Sequence, residues 1–187
     1  MLSYFLIFLQ FILLLIAIGI VIYMGLVMAS FKNPVPYVPT PRKIIRKMIE
    51  KANIQAGEKV VDLGSGAGRV VFAVAKRYPV KIVGIEKSRF LYFLSKLRSI
   101  FRKKKGEVKF IKSDFQNYPL GDVNVVLCFI TPEGLKIIQD KLAQELLKGA
   151  RIVSYLFPLE KKERFQESKV LVKGGKNKSY LFVYNKL

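Results

Sequence analysis

One segment restricts the fold more than any other. From Tyr4 to Met28 the chain is almost unbroken apolar sequence, with Gln10 its one clearly polar side chain. A bilayer core is crossed by about 20 apolar residues in a helix, so this run is long enough to span it with some tilt. Tyr4 and Tyr23 stand where interfacial aromatics sit. A helix apolar on every side has no face to give to water, which argues against a place on the edge of a globular core. A cleaved signal peptide is the competing reading, because Val27-Met28-Ala29 resembles a cleavage site. No basic region precedes the run, however, and the run exceeds a signal core. The expectation is a retained transmembrane anchor over residues 1–30. Lys32, Arg42, Lys43, Arg46 and Lys47 come after it and no Lys or Arg precedes it, so the rest of the chain is expected on the cytoplasmic side.

Beyond the anchor the chain divides in two. Residues 31–56 read as a proline-rich linker and a basic helix, and residues 57–187 as one catalytic-sized domain. Pro34, Pro36, Pro39 and Pro41 stiffen the linker. Thr40 is expected as helix cap with Pro41 in the first turn. Ile44, Ile45, Met48, Ile49 and Ala52 then share one face of a helix whose remainder is basic. The whole chain holds 33 Lys and Arg against 13 Asp and Glu, a formal charge of +20. Such a surface attracts phosphate backbones or anionic lipid headgroups. Beside an anchor, the anionic inner leaflet is the favoured partner and nucleic acid the weaker alternative.

There is no histidine and a single cysteine, Cys128. Histidine-based triads, histidine metal ligands and internal disulfides are thereby excluded, and no metal is expected. Chemistry must run on carboxylates, Tyr, Lys, backbone dipoles or a reactive cofactor.

Past Gly57, strand patterns at Lys59–Leu63, Lys81–Ile85, Val108–Ile111, Val123–Phe129 and Arg151–Leu156 alternate with helix patterns near 67–77, 88–104 and 133–147. That alternation implies a parallel, doubly wound α/β sheet. Lys169–Lys173 and Ser179–Tyr184 flank Gly174-Gly175 and read as an antiparallel hairpin. The expected fold is Rossmann-like: a mostly parallel seven-stranded sheet ending in that hairpin.

The turn after the first strand carries Asp62-Leu63-Gly64-Ser65-Gly66-Ala67-Gly68. Glycines there let backbone approach a ligand, and the helix after them offers free N–H groups. A dinucleotide site wants a further glycine where this chain has Arg69. Asp62 would repel a pyrophosphate but attract an ammonium and a sulfonium, which favours S-adenosylmethionine over a dinucleotide. Glu86 ends the second strand, where a carboxylate can accept from ribose hydroxyls. Asp114 and Phe115 come after the third strand and suit an adenine amino group and ring. The expected cofactor set is Asp62, Gly64, Ser65, Gly66, Gly68, Glu86, Asp114 and Phe115. Phe129-Ile130-Thr131-Pro132-Glu133 closes the fourth strand and lacks the Asn-Pro-Pro-Tyr of many enzymes acting on planar amides or exocyclic amines. Thr131 is expected to cap the next helix, and Cys128 to be core.

The order of anchor, Pro36-Tyr-Val-Pro-Thr-Pro41, basic helix and Asp62–Gly68 resembles the small membrane-anchored class I protein-lysine methyltransferases. Members of that family modify the c ring protein of ATP synthase and the adenine nucleotide translocase. The resemblance implies N-methylation of a lysine on a membrane protein. It also implies that Pro36–Thr40 shapes the active-site entrance. Tyr37 in that segment, and Phe129 and Glu133 after the fourth strand, where the acceptor meets the cofactor in this fold, are the acceptor-side candidates. A methyltransferase of lipids or quinone-like molecules, an RNA methyltransferase and a silent binding module stay open as alternatives.

Overall fold

The computed structural model describes residues 2–31, 39–173 and 178–187. Tyr37 and the Gly174-Gly175 turn therefore lie outside the described residues. The chain divides into two compact units, Met1–Tyr37 and Val38–Leu187.

Among the described residues, the first unit holds one helix, α1, over Leu2–Phe31. Within it Ser3–Gly25 is long and apolar enough to cross a membrane. Its large side chains from Tyr4 to Met24 are exposed, with none of them packed into a protein core.

The second unit begins at Val38, not at residue 57, because helix α2 (Arg42–Ala52) belongs to its core. Ile44, Ile45, Met48, Ile49 and Ala52 are all buried, as their spacing implies. Each of the four larger ones contributes of the order of 2 kcal/mol of apolar burial. The helix starts one residue later than expected. Pro41 keeps an extended ψ of 142° and takes the cap position without a side-chain bond, and Thr40 is buried. At its other end Asn53 turns into the left-handed region (φ 46°), and its N–H donates to the Glu50 carbonyl.

Strands β1 (Lys59–Leu63), β2 (Lys81–Glu86), β3 (Glu107–Lys112), β4 (Val125–Cys128) and β5 (Arg151–Tyr155) run parallel. β6 (Phe165–Lys173) and β7 (Lys178–Lys186) form the antiparallel hairpin, and β7 pairs with β5. The sheet order is β3-β2-β1-β4-β5-β7-β6, the expected Rossmann-like arrangement. Helices α3 (Arg69–Ala75), α4 (Arg89–Ile100) and α5 (Pro132–Glu145) connect the parallel strands. β1 and β4 are buried along their length, apart from Lys59. The direction of winding reverses between β1 and β4, the position where open α/β sheets bind ligands at strand carboxyl ends.

Two element boundaries depart from expectation by four residues, for physical reasons, and the others by two or fewer, as where β4 is Val125–Cys128 and not Val123–Phe129. α4 stops at Ile100, before the consecutive cations Arg102 to Lys105. Their mutual repulsion disfavours another helical turn, and Gly106 comes so close to β2 that a Cβ there would lie 2.2 Å from the Val80 carbonyl oxygen. β6 begins at Phe165, four residues early, because cross-strand bonding to β7 extends a segment whose polar Gln166, Glu167 and Ser168 carry no apolar alternation.

Candidate active site

The site forms at the carboxyl ends of β1 and β2. Gly64, Gly66 and Gly68 all adopt positive φ, at 71°, 54° and 79°, a region where a side chain costs roughly 1–2 kcal/mol. Gly68 also has no room for one: a Cβ would sit 2.7 Å from the Phe110 ring and 2.8 Å from Phe72. The turn is tied to β2 twice. Ser65 N–H donates to the Ile85 carbonyl at 2.9 Å, and Gly66 N–H donates to Glu86 Oε2 at 2.8 Å.

Glu86 is buried, and its other oxygen accepts from Ser88 N–H at 2.7 Å. Burial raises its pKa above the ordinary value, partly offset by the backbone N–H groups of Ser88, Gly66 and Lys87. Asp62 is the more extreme case. It is buried next to the glycine turn, and its Oδ2 has no hydrogen-bond partner among the described residues. Burial, and then the Glu86 charge, push its pKa well above the usual carboxylate range. Ser65 Oγ is likewise buried without a partner among them. A buried acceptor of this kind is costly unless something donates to it. The donor set therefore fits a ligand that brings a positive charge and N–H groups to Asp62, and an aminoacyl sulfonium such as S-adenosylmethionine carries both.

Asp114 stands after β3 and pairs with Lys87, the neighbour of Glu86, whose ammonium lies 2.9 Å from Asp114 Oδ2. Its Oδ1 accepts from Gln116 N–H and caps the short 3-10 turn Phe115–Asn117. Burial raises its pKa, but the Lys87 bond and charge and the Gln116 N–H outweigh this and hold it below the ordinary value. Phe115 opens that turn, half-buried.

On the other side of β1 lie the residues that follow β4 and open α5. Phe129, half-buried, packs its ring against Tyr155 at 4.8 Å between centroids. Thr131 caps α5 as expected, accepting from Gly134 N–H at 3.3 Å. Glu133 is exposed in the first turn of α5. Cys128 is fully buried and burial pushes its thiol up to about 12, so it is core and not a nucleophile.

Four contributors escape a reading of the sequence. Gly84 pairs with Asp62 in the sheet, and a Cβ there would lie 2.8 Å from both Ser65 Oγ and the Phe110 ring. A glycine inside a strand is itself a signal of close approach. Lys87 is legible only as a neighbour of Glu86. Arg98 donates to the Ala67 carbonyl at 3.1 Å from 31 residues away, and nothing local announces it. Tyr155, at the end of β5, is found only through its ring contact with Phe129.

Residues 62–166 match the ANTKMT methyltransferase domain model. The chain belongs to the ANTKMT methyltransferase family. It is 33% identical over 133 residues to a protein-lysine N-methyltransferase of Saccharolobus islandicus (strain REY15A), covering 70% of this chain and 81% of that protein. It is 34% identical over 125 residues to the adenine nucleotide translocase lysine N-methyltransferase of Mus musculus, covering 67% of this chain and 54% of the mouse enzyme. Identity to the Homo sapiens lysine N-methyltransferase of the ATP synthase c protein is 32% over 123 residues, 66% of this chain and 52% of the human enzyme. The chain thus spans about half the length of the two animal enzymes. An RNA methyltransferase of Salinibacter ruber in complex with S-adenosyl-L-homocysteine shares the fold with a TM-score of 0.72, at 23% identity, over 80% of this chain and 94% of that one. As a member of the ANTKMT family this chain is an S-adenosylmethionine-dependent methyltransferase.

Proposed function

We propose that this enzyme N-methylates a lysine of a membrane protein, held at the membrane by α1 with its catalytic unit on the cytoplasmic side. The observation that carries the lysine assignment is the alignment of some two thirds of the chain with protein-lysine methyltransferases from Saccharolobus islandicus and two animals. The anchor rests on the 23-residue span Ser3–Gly25 and on the basic residues after it.

Asp62, whose Oδ2 has no partner among the described residues, is the group that would meet the cofactor's positive charge. Glu86 spends one lone pair of each oxygen on backbone N–H groups and keeps others for ribose hydroxyls. Gly64, Ser65, Gly66 and Gly68 let backbone approach closely. Asp114 would accept from the adenine amino group, and Phe115 would cover the ring. When bound, S-adenosylmethionine supplies a methyl group on a good leaving group, so the protein's part is alignment.

The acceptor amine must be neutral to react. An apolar surround lowers a lysine pKa from its model value near 10.4. The Phe129–Tyr155 pair supplies such a surround, which removes the need for a histidine base. Glu133 offers the acceptor side a carboxylate that attracts a cationic side chain. Tyr37 and Pro36–Thr40 join this set through the family resemblance alone.

Incubating membranes with the enzyme and methyl-labelled cofactor tests the reading. Label is expected in protein, as methyllysine. Label found only in the lipid extract or only in RNA would overturn the lysine assignment.

A further inference from the structure

α4 carries an exposed apolar ridge that the methyl-transfer reading does not use. Phe93, Leu97, Ile100 and the adjoining Phe101 are 66%, 45%, 75% and 79% exposed. Positions 93, 97 and 100 have the i, i+4, i+7 spacing of one helix face. Large side chains this bare, side by side, mark an interaction surface.

The charge around the ridge says what covers it. From Lys87 to Gly106 the chain has eight basic residues and no acidic one. Some of these cations are engaged within the protein: Lys87 with Asp114, Arg98 with the Ala67 carbonyl, and Arg102 over the Phe72 ring. Arg89, Lys96, Lys103 and Lys105 are exposed around the ridge. An apolar stripe rimmed by cations is the pattern of a helix lying in the headgroup region of an anionic membrane. A basic face such as that of α2 lacks the apolar half, because its Ile and Met residues are buried.

We infer that α4 is a second membrane contact: Phe93, Leu97, Ile100 and Phe101 insert into the interface of an anionic bilayer, and the surrounding Lys and Arg bind its headgroups. The inference rests on the membrane-anchored reading in one respect, that a spanning α1 keeps the catalytic unit at high effective concentration of lipid.

The test uses the full chain in phosphatidylcholine vesicles and in vesicles that also contain phosphatidylserine. A fluorophore is attached through Ile100→Cys, and Cys128 stays unlabelled because it is buried and its thiol is pushed up to about 12. Quenching by nitroxide-bearing lipid reads insertion, and flotation reads anchoring. Strong quenching is expected in the serine-containing vesicles and weak quenching in the others. Lys96→Gln, Lys103→Gln and Lys105→Gln together are expected to shift the docked-to-undocked ratio by roughly a hundredfold. A chain that floats with both vesicles while its label stays in water overturns the docking and leaves the anchor standing. A chain that floats only with the anionic vesicles and is quenched there supports the docking and overturns the spanning anchor. Flotation with neither overturns both. Quenching that is equal in both lipids and unmoved by the triple substitution overturns the anionic-lipid assignment.

Discussion

The two sides of β1 are built differently. Toward β2, the site is built on backbone: three positive-φ glycines and a buried Glu86 that accepts two N–H groups, with Asp62 buried beside them and its Oδ2 without a partner among the described residues. Toward β4, the candidates are side chains: a half-buried Phe129 against a buried Tyr155, and Glu133 exposed in the first turn of α5. A cofactor is the same molecule in every turnover, so its half can be rigid and can store unfavourable groups that the ligand relieves. An acceptor half that meets a protein substrate gains from exposed side chains. On the proposed reading the contrast separates binding of cofactor from choice of acceptor, and substitutions on either side should part the two.

The largest effect is expected from Gly68→Ala. The new methyl must displace the Phe110 or Phe72 ring and also accept a φ of 79°. Together these should cost about 2–4 kcal/mol, from the left-handed penalty and overpacking. A thermal melt should show the loss, with cofactor binding abolished. A variant that melts and binds like the parent would remove the rigid half from the account.

Asp62→Asn comes next and should move two quantities in opposite directions. Cofactor affinity should fall roughly 10–100-fold, the worth of a charged hydrogen bond in a buried site. The ligand-free protein should gain stability, because a buried charge beside Glu86 is removed. Asp62 and Glu86 both have raised folded pKa values, so the folded state holds protons that the unfolded state has released. Stability is full below the unfolded pKa, near 4, and declines as pH rises toward the folded values. Bound cofactor favours ionised Asp62 and should flatten that decline. Melting curves across pH, with and without cofactor, check both the slope and its loss in the variant.

Phe129→Ala should weaken turnover on the lysine acceptor about tenfold or more while leaving cofactor affinity unchanged, since it opens the apolar surround to water. Glu133→Gln should have the smallest effect. Folding stability should stay within about 0.5 kcal/mol of the parent, as for other exposed sites, with a modest rise in KM for a cationic acceptor. A fall in cofactor affinity for either variant would blur the division between the halves.

Much of this division is legible in the sequence. β1 matches its apolar run end to end, and the order Asp62, glycines, Glu86, Asp114 is set by strand ends alone. The spacing of Ile44, Ile45, Met48, Ile49 and Ala52 marks the buried face of α2. The features that escape are set by tertiary contact. Arg98 reaches the glycine turn from another helix, Gly84 is small because Phe110 and Ser65 press on it, and β6 is long because β7 pairs with it. Asp114 shows why one position can carry two readings. A residue proposed for adenine also serves as a turn cap and a partner of Lys87. One side chain near a helix start can do both, and sequence does not separate them.

The most direct test of the central claim is calorimetric titration of S-adenosylmethionine into four proteins of this 187-residue chain: the parent, Asp62→Asn, Phe129→Ala and Glu133→Gln. Asp62→Asn alone is expected to lose affinity, with the other two binding as the parent does. Equal affinity in the parent and Asp62→Asn would contradict the account, because the buried carboxylate, whose Oδ2 has no partner among the described residues, would then have no part in holding the cofactor.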